Sequence, residues 1–557
     1  MKSKLFIVSI IVLSICIFAF TACNQNSTTT TTTTTTENAI QEAAAVDSTF
    51  TDVTETNEDF SITTEDGSFT TANNVYTIST AGTYSLSGYL NGQIIVEAEE
   101  GEVIIELNGV TITNNSDSPI KILSASSVDI SAKKDTQNVI KDTRSVKTTD
   151  TDTQGEGAIY SKVDLTLKGN GILVVSSTYN NGVHTTKDLK IKNLSLKVTA
   201  VNNAIKGNDS ITVDSGTIVA ISTSGDGIKT QNTDVSSKGN QRGSIEINDG
   251  SVVVYSAGDA VSASYDFTIN GGTLTVYTGS YSSYTASTAS TTSYKGVKVG
   301  NELYVNGGTL LLCSYDDGLH ADYGTTLDNG QKGAGNIYVT GGNIIITVYS
   351  PTTSTAMGHM GPGGWGNQKS VSGSDGIHAD NTLTISGGTI TVDTAYEGLE
   401  ANYVVITDGT ITVYANDDGV NAFKNIGTPS IRISGGYLDV TVPTSGDTDG
   451  IDSNGNYYQT GGVVIVKGPG SSSGRMGGGA WALDADGSIS LSGGTLIVFG
   501  GIESTPQTSN VTRTICSSST VSTGSHTVTV GGNSYTTTLK YSTSGCVVYG
   551  SGTATLK

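Results

Sequence analysis

Helical periodicity, proline, arginine and metal-type cysteine spacing are what this chain lacks. No segment of the repeating region recurs at the helical spacing of three and four, which leaves an α or α/β fold without its usual pattern. Proline occurs 7 times in 557 residues, so turns fall to 70 glycines. Charged residues make up only 14%, and the formal net charge is −22. That balance argues against a nucleic-acid partner and suits cation binding and solubility at a cell surface. The five cysteines form no Cys-x-x-Cys pair and no Cys/His metal spacing. Cys16 and Cys23 lie in or at the end of the leading apolar run, and Cys313 closes the apolar stretch Leu310-Leu311-Leu312. Cys516 and Cys546 sit late in the chain, where an oxidising compartment allows them to pair.

What is present is a repeat. Ser374-Asp375-Gly376-Ile377-His378-Ala379-Asp380 leads into an apolar/polar alternation, a glycine pair and a second alternation, Thr389-Ile390-Thr391-Val392. Glu397-Gly398-Leu399 and Asp418-Gly419-Val420 restart the unit, and Gly376, Gly398 and Gly419 are 22 and 21 residues apart. Strand, tight turn, strand is the period-two pattern of a half-buried sheet. Repetition at about 22 residues without a helix is the signature of a β-solenoid, one coil per repeat. Restarts are legible at Gly157, Gly182, Ala204, Gly227, Ala260, Gly296, Gly318, Gly376, Gly398, Gly419, Gly450 and Ala482, with insertions in the longer intervals. A solenoid lengthens without starting a new core, so residues 61–505 read as one domain.

Residues 1–22 have the form of an export signal: Lys2 and Lys4, then an apolar run from Leu5 to Phe20. The run ends Phe20-Thr21-Ala22-Cys23, which resembles a bacterial lipobox with Phe20 in place of the usual leucine, and makes Cys23 the lipidation candidate. A chance cysteine after an ordinary cleaved signal is the competing reading. Residues 23–60 hold an unbroken threonine run, Thr28 to Thr36, and acids without lysine or arginine, the composition of a disordered tether. Residues 506–557 read as antiparallel hairpins capping the last coil.

The restart motif carries the candidate chemistry. Its acids cluster as Asp316, Asp317 and Asp322, as Asp375 and Asp380, and as Asp417, Asp418, Asp447, Asp449 and Asp452. Equivalent positions of stacked coils lie about 4.8 Å apart, and two carboxylates at about 5 Å repel by roughly 3 kcal/mol at an effective dielectric near 20. Oxygen-rich clusters of this kind are what Ca²⁺ takes, so these residues are the metal candidates. The bland reading makes each Asp a cap of its own turn.

Three further features each have two readings. The second residue after the restart glycine runs His184, Lys206, Lys229, Lys298, His320, His378, Glu400, Asn421, Asp452. It is either a graded groove for an anionic chain or a solvated face. Tyr255, Tyr277 and Tyr414 end the second strand on the side that period-two counting calls outer, as flat platforms for sugar rings or as packing between coils. The Gly/Met segments that hold Trp365, Arg475 and Trp481 suit ligand contact or a hydrophobic flap.

The export signal, the threonine tether, the Asp-Gly-Ile-x-Ala-Asp coils and the Met-Gly-Gly-Trp loops together resemble the bacterial carbohydrate-binding domain-containing family over roughly residues 75–505. The resemblance implies a right-handed parallel β-helix shaped like pectate lyases, to which the hairpins read in residues 506–557 add a small antiparallel C-terminal cap. It also implies binding of plant cell-wall polysaccharide, notably polygalacturonate, with Ca²⁺ in the coils. No catalytic residue carries over with it. The expectation is therefore a lipid-anchored, non-catalytic, monomeric polysaccharide binder on the extracellular face. A polysaccharide lyase on the same fold is the alternative, and it needs a base that the arginines (Arg144, Arg242, Arg432, Arg475, Arg513) do not supply at any restart. A purely structural adhesin is the third reading.

Overall fold

The computed structural model describes residues 46–147, 155–279, 293–348, 373–446, 448–470 and 480–557. They are strands and turns throughout, apart from one helical turn at 46–48, and no described helix is long and apolar enough to cross a membrane. The chain divides into two compact units, the first built mainly from residues before Leu311 and the second mainly from Ala334 onward, including 312–323.

In unit 1 the coils stack as parallel ladders. Ile120–Ser124, Gly157–Ser161, Asn181–Thr185, Ile205–Gly207, Ile228–Lys229, Val261–Ala263 and Val297–Val299 form one. Ser127–Ala132, Leu165–Gly169, Asp188–Lys192 and Ser210–Val213 belong to the second. Gln137–Asp142, Ile172–Ser177, Leu194–Ala200 and Gly216–Ser222 belong to the third. The fold is a parallel β-helix with three strands per coil. Sequence spacing predicts two, because the restart motif reads as a turn; it is itself a short strand. Parallel pairing already begins at Val75–Ile78 with Gln93–Glu97, while Ser61–Thr64 and Phe69–Ala72 pair antiparallel at the N-terminal end.

Of the expected tether, residues 46–60 have contacts: Phe50 is buried, Asp47 pairs with Lys197 at 2.6 Å, and Lys141 pairs with Glu55. Cys23 and the threonine run lie outside the described residues.

Unit 2 repeats the pattern. Ile377, Leu399, Val420 and Ile451 stand in register, so Gly376, Gly398, Gly419 and Gly450 stack one per coil. These glycines are required by closeness rather than by backbone angle. A Cβ on Gly398 would lie 2.1 Å from Val413 Cγ1 and 2.4 Å from the Gly419 carbonyl, and one on Gly419 would lie 2.1 Å from Val440 Cγ1. The interior is Ile, Leu and Val, fully buried from Ile377 and Leu383 to Val464 and Leu496. The last coil strand, Thr495–Phe499, is covered antiparallel by Cys546–Gly550, and Gly524–Val530, Asn533–Leu539 and Ala554–Leu556 make the expected antiparallel cap. Cys516 and Cys546 are unbridged thiols that touch side chain to side chain.

Candidate functional site

The site is built by two positions of the restart strand in unit 2. The first is the acid before the glycine. Asp375 N–H donates to Asp317 Oδ1 at 2.8 Å, Glu397 N–H to Asp375 Oδ1 at 3.2 Å, and Asp449 N–H to Asp418 Oδ1 at 2.7 Å. Trp481 N–H does the same to Asp449. Unit 1 uses the device too, from Asp259 N–H to Asp226 Oδ1 at 3.0 Å. One carboxylate oxygen therefore caps the next coil, not its own turn, while the other meets His320 at Asp317, His378 at Asp375 and Lys229 at Asp226.

The second position lies three residues further on, where His320, His378, Glu400, Asn421 and Asp452 stand in one register. His320 and His378 stack with ring centres 4.8 Å apart. Each ring is held at both nitrogens. His320 Nδ1 meets Asp317 Oδ2 at 2.7 Å and Nε2 meets Asp322 Oδ1 at 2.8 Å. His378 Nδ1 meets Asp375 Oδ2 at 3.0 Å and Glu400 Oε2 at 2.5 Å, and Nε2 meets Asp380 Oδ1 at 3.1 Å. Burial alone would lower the pKa of His378, but Glu400, Asp375 and Asp380 outweigh it and raise it well above the usual value. The pKa of Glu400 is lowered despite its burial, because of the same imidazolium. A charged His378 would be the internal cation of this cluster, in which the ligand atoms of Asp375, His378 and Glu400, like those of Asp317, His320 and His378, lie within 4.8 Å of one another.

One coil on, the oxygens have no histidine. Ligand atoms of Glu397, Asp417 and Asp418 lie within 4.8 Å of one another. Burial first, then the neighbouring carboxylates, push Glu397 and Asp418 well above the carboxylate range. Asn421 is 7% exposed; its Nδ2 donates to Glu397 Oε2 at 2.9 Å, while its buried Oδ1 has no hydrogen-bond partner. An all-oxygen group with an orphaned carbonyl fits a hard cation such as Ca²⁺.

The acidic column continues to Asp452, raised to about 6 by burial and by Asp486, and to Asp484, raised to about 8 by burial and by its hydrogen bond with Glu503. Asp484, Asp486 and Glu503 escape the sequence reading, although Asp484 stands two residues after the restart Ala482 and counting alone would have placed it. Asp316 accepts the Asp317 N–H, a local turn bond. Asp447, Trp365 and Arg475 lie outside the described residues.

The fold so arranged has known relatives. A model for the family described as carbohydrate-binding domain-containing protein matches residues 72–336 and 325–419. The chain belongs to that family. A carbohydrate-binding domain-containing protein of Acetivibrio thermocellus is 40% identical over 126 residues, which cover 22% of this chain and 44% of that protein. The chain thus spans less than half the length of that relative. A solved polysaccharide lyase-like protein from C. thermocellum, studied as a gadolinium derivative, aligns at a TM-score of 0.39 with 32% identity, over 45% of this chain and 94% of its own.

In this carbohydrate-binding domain-containing protein the expected tyrosine platform is corrected. Tyr255 and Tyr277 stack on each other at 5.2 Å and are 1% and 4% exposed. Period-two counting assigns a side of the strand, not its solvent. Val253, on the same side of the strand as Tyr255, is likewise 1% exposed. Tyr414 is half-buried, its ring under Lys540 Nζ at 3.6 Å and its hydroxyl on Tyr541 at 2.8 Å. Trp481 is half-buried in the acid column itself, its backbone bound to Asp449.

Proposed function

We propose that the protein binds acidic polysaccharide such as polygalacturonate through coil-held Ca²⁺, without cleaving it, from a lipid anchor at Cys23 on the outer face of the cell. The observation that carries the calcium is the Glu397, Asp417 and Asp418 oxygen group, to which Asn421, with its orphaned Oδ1, is tied through Glu397. A chain of net charge −22 repels uronate, so attraction requires a positive intermediary. A calcium ion held by Glu397, Asp417, Asp418 and Asn421 supplies that charge and offers remaining coordination positions to a uronate carboxylate. Family membership supports a carbohydrate ligand in general terms.

Non-catalytic binding is supported by the engagement of the four described arginines. Arg144 is paired with Asp142 and Arg242 with Asp209 and Asp234, while Arg432 lies over Tyr458 and Arg513 bonds Tyr549. Lys229 is paired with Asp226 at 2.6 Å.

Polygalacturonate retention is the test, run with Ca²⁺ and with chelator on the full chain and on the joint Asp417→Asn, Asp418→Asn variant. Retention that needs calcium and vanishes in the variant supports the reading. Retention indifferent to both overturns it, and a steady rise in ultraviolet absorbance from unsaturated uronate ends hands the case to the lyase. The anchor is tested separately: Cys23→Ser shifts the protein from the membrane fraction to the soluble one.

A further inference from the structure

Unit 1 carries a cleft of about 400 Å³, at the small end of ligand pockets, whose walls include Lys147, Glu156, Tyr179, Asn180, Lys206 and Ser224. Its charges do not cancel. Lys147 Nζ is paired with Glu156 Oε1 at 2.9 Å, which neutralises both. His184, beside them, has its pKa lowered to about 4 by burial and by Lys206, so it is neutral at pH 7 and adds no charge. Its Nε2 faces Asn208 Oδ1 at 3.1 Å, which sets that nitrogen as the donor. Lys206 remains. It lies in the restart ladder between His184 and Lys229, is partly buried, and makes no ion pair or hydrogen bond among the described residues.

Polar groups around it are also left over. Tyr179 is 5% exposed, its ring under the Arg144 guanidinium at 3.7 Å, and its hydroxyl has no hydrogen-bond partner. Asn180 Oδ1 accepts from Asn202 Nδ2 at 2.8 Å, which turns the Asn180 amide so that its Nδ2 is the group left to donate. An excess ammonium with hydroxyl and amide partners is the complement of a single carboxylate on a hydroxylated ring.

We propose that this cleft binds one sugar-acid residue directly, its carboxylate on Lys206 and its hydroxyls on Tyr179 and Asn180, without any metal ion. The sugar-acid identity of the ligand rests on the polysaccharide reading above, whereas the anion site itself does not. Where the unit 2 group attracts a carboxylate through a cation, unit 1 does so with its own lysine.

The test is calorimetry of monomeric galacturonate, with galactose as the neutral probe, on the full chain in excess chelator. Galacturonate binding is expected and galactose binding is not. Lys206→Gln should weaken galacturonate at least tenfold and Tyr179→Phe about threefold, while Lys238→Gln, exposed and outside the cleft, leaves it unchanged. Amide shifts of Asn180 and Asn202 during titration of the unmutated protein give a readout that does not depend on any variant folding. Absence of galacturonate binding in chelator, equal binding of galactose, or indifference to Lys206→Gln overturns the site. Galacturonate binding in chelator without calcium-dependent retention of the polymer would leave this site standing and remove the calcium reading; the reverse pattern would do the opposite.

Discussion

His184 and His378 occupy the same position of the same restart motif, one in each unit, and the fold treats them oppositely. Both are buried, which disfavours the imidazolium. His184 has Lys206 next in its ladder and is neutral, its pKa lowered to about 4. His378 has Glu400 next in its ladder and Asp375 and Asp380 at its nitrogens, and it is charged. The coil interior is the same aliphatic stack in both units. A single outward column therefore sets the electrostatics, and the same backbone serves a lysine-bearing cleft and an acid cluster.

The largest expected effect falls on what the two units share. Gly419→Val puts side-chain atoms against the buried Val440 side chain and against the Gly450 carbonyl, which is backbone and cannot yield. Gly182→Val in unit 1 meets Val198 Cγ1 at 2.1 Å and the Ala204 carbonyl at 2.8 Å. Each should cost about 3 kcal/mol or more by overpacking, read as a lowered denaturant midpoint. If either is neutral, the coil spacing is wrong and the comparison of the two columns loses its basis.

Next comes the contrast itself. His378→Gln removes the cation from among Asp375, Asp380 and Glu400 and leaves buried carboxylates unpaired, a loss on the order of 3 kcal/mol at pH 7. The sign follows from its raised pKa. The stability it contributes is fully present below the unfolded value near 6.5 and is lost as pH rises through the folded value. The variant should therefore be most deficient below about pH 6.5 and converge on the parent as pH rises through the folded value. A His378→Gln protein as stable as its parent at pH 7 would mean the ring is neutral.

A somewhat smaller effect belongs to calcium. An ion that binds only the native state contributes about 2.7 kcal/mol at one hundred times its dissociation constant. Melting temperature should rise on adding Ca²⁺, and the Asp417→Asn, Asp418→Asn variant should lose that rise. Retention of the full rise in the variant would move the ion to another group.

Counting two residues past the restart glycine puts His320, His378, Glu400, Asn421 and Asp452 in one row, and the ladder register agrees. Counting failed where a position's meaning depends on what lies across from it. Asp375 reads as a metal candidate or, alternatively, as a cap of its own turn; its Oδ1 instead accepts from Glu397 N–H, a coil away in space and 22 residues away in sequence. Tyr255 and Tyr277 were placed on a side of the strand that turned out to be closed. Asp484 is legible by the same count from Ala482, whereas Glu503 lies outside the restart motif and meets Asp484 only in space. The unpaired state of Lys206 is a property of its neighbours, and no spacing rule contains it.

The smallest expected effect at neutral pH sharpens the comparison most. His184→Asn removes a neutral ring and its bond to Asn208, about 1 kcal/mol at pH 7. Acid should reverse the ranking. With a folded pKa near 4 against about 6.5 unfolded, His184 contributes stability that is present above 6.5 and is lost as pH falls through 4, since the unfolded chain takes up the proton first. The parent should therefore lose stability between pH 6.5 and 4 through this residue, and the variant should lose less, so that the two curves approach or cross near pH 5. Nuclear magnetic resonance titration of the ring signals gives the site-specific check: His184 should protonate far below 6.5 and His378 far above it. Both histidines titrating near 6.5 would show that Lys206 and Glu400 do not act on their ladder neighbours, and the opposed columns would have no electrostatic consequence.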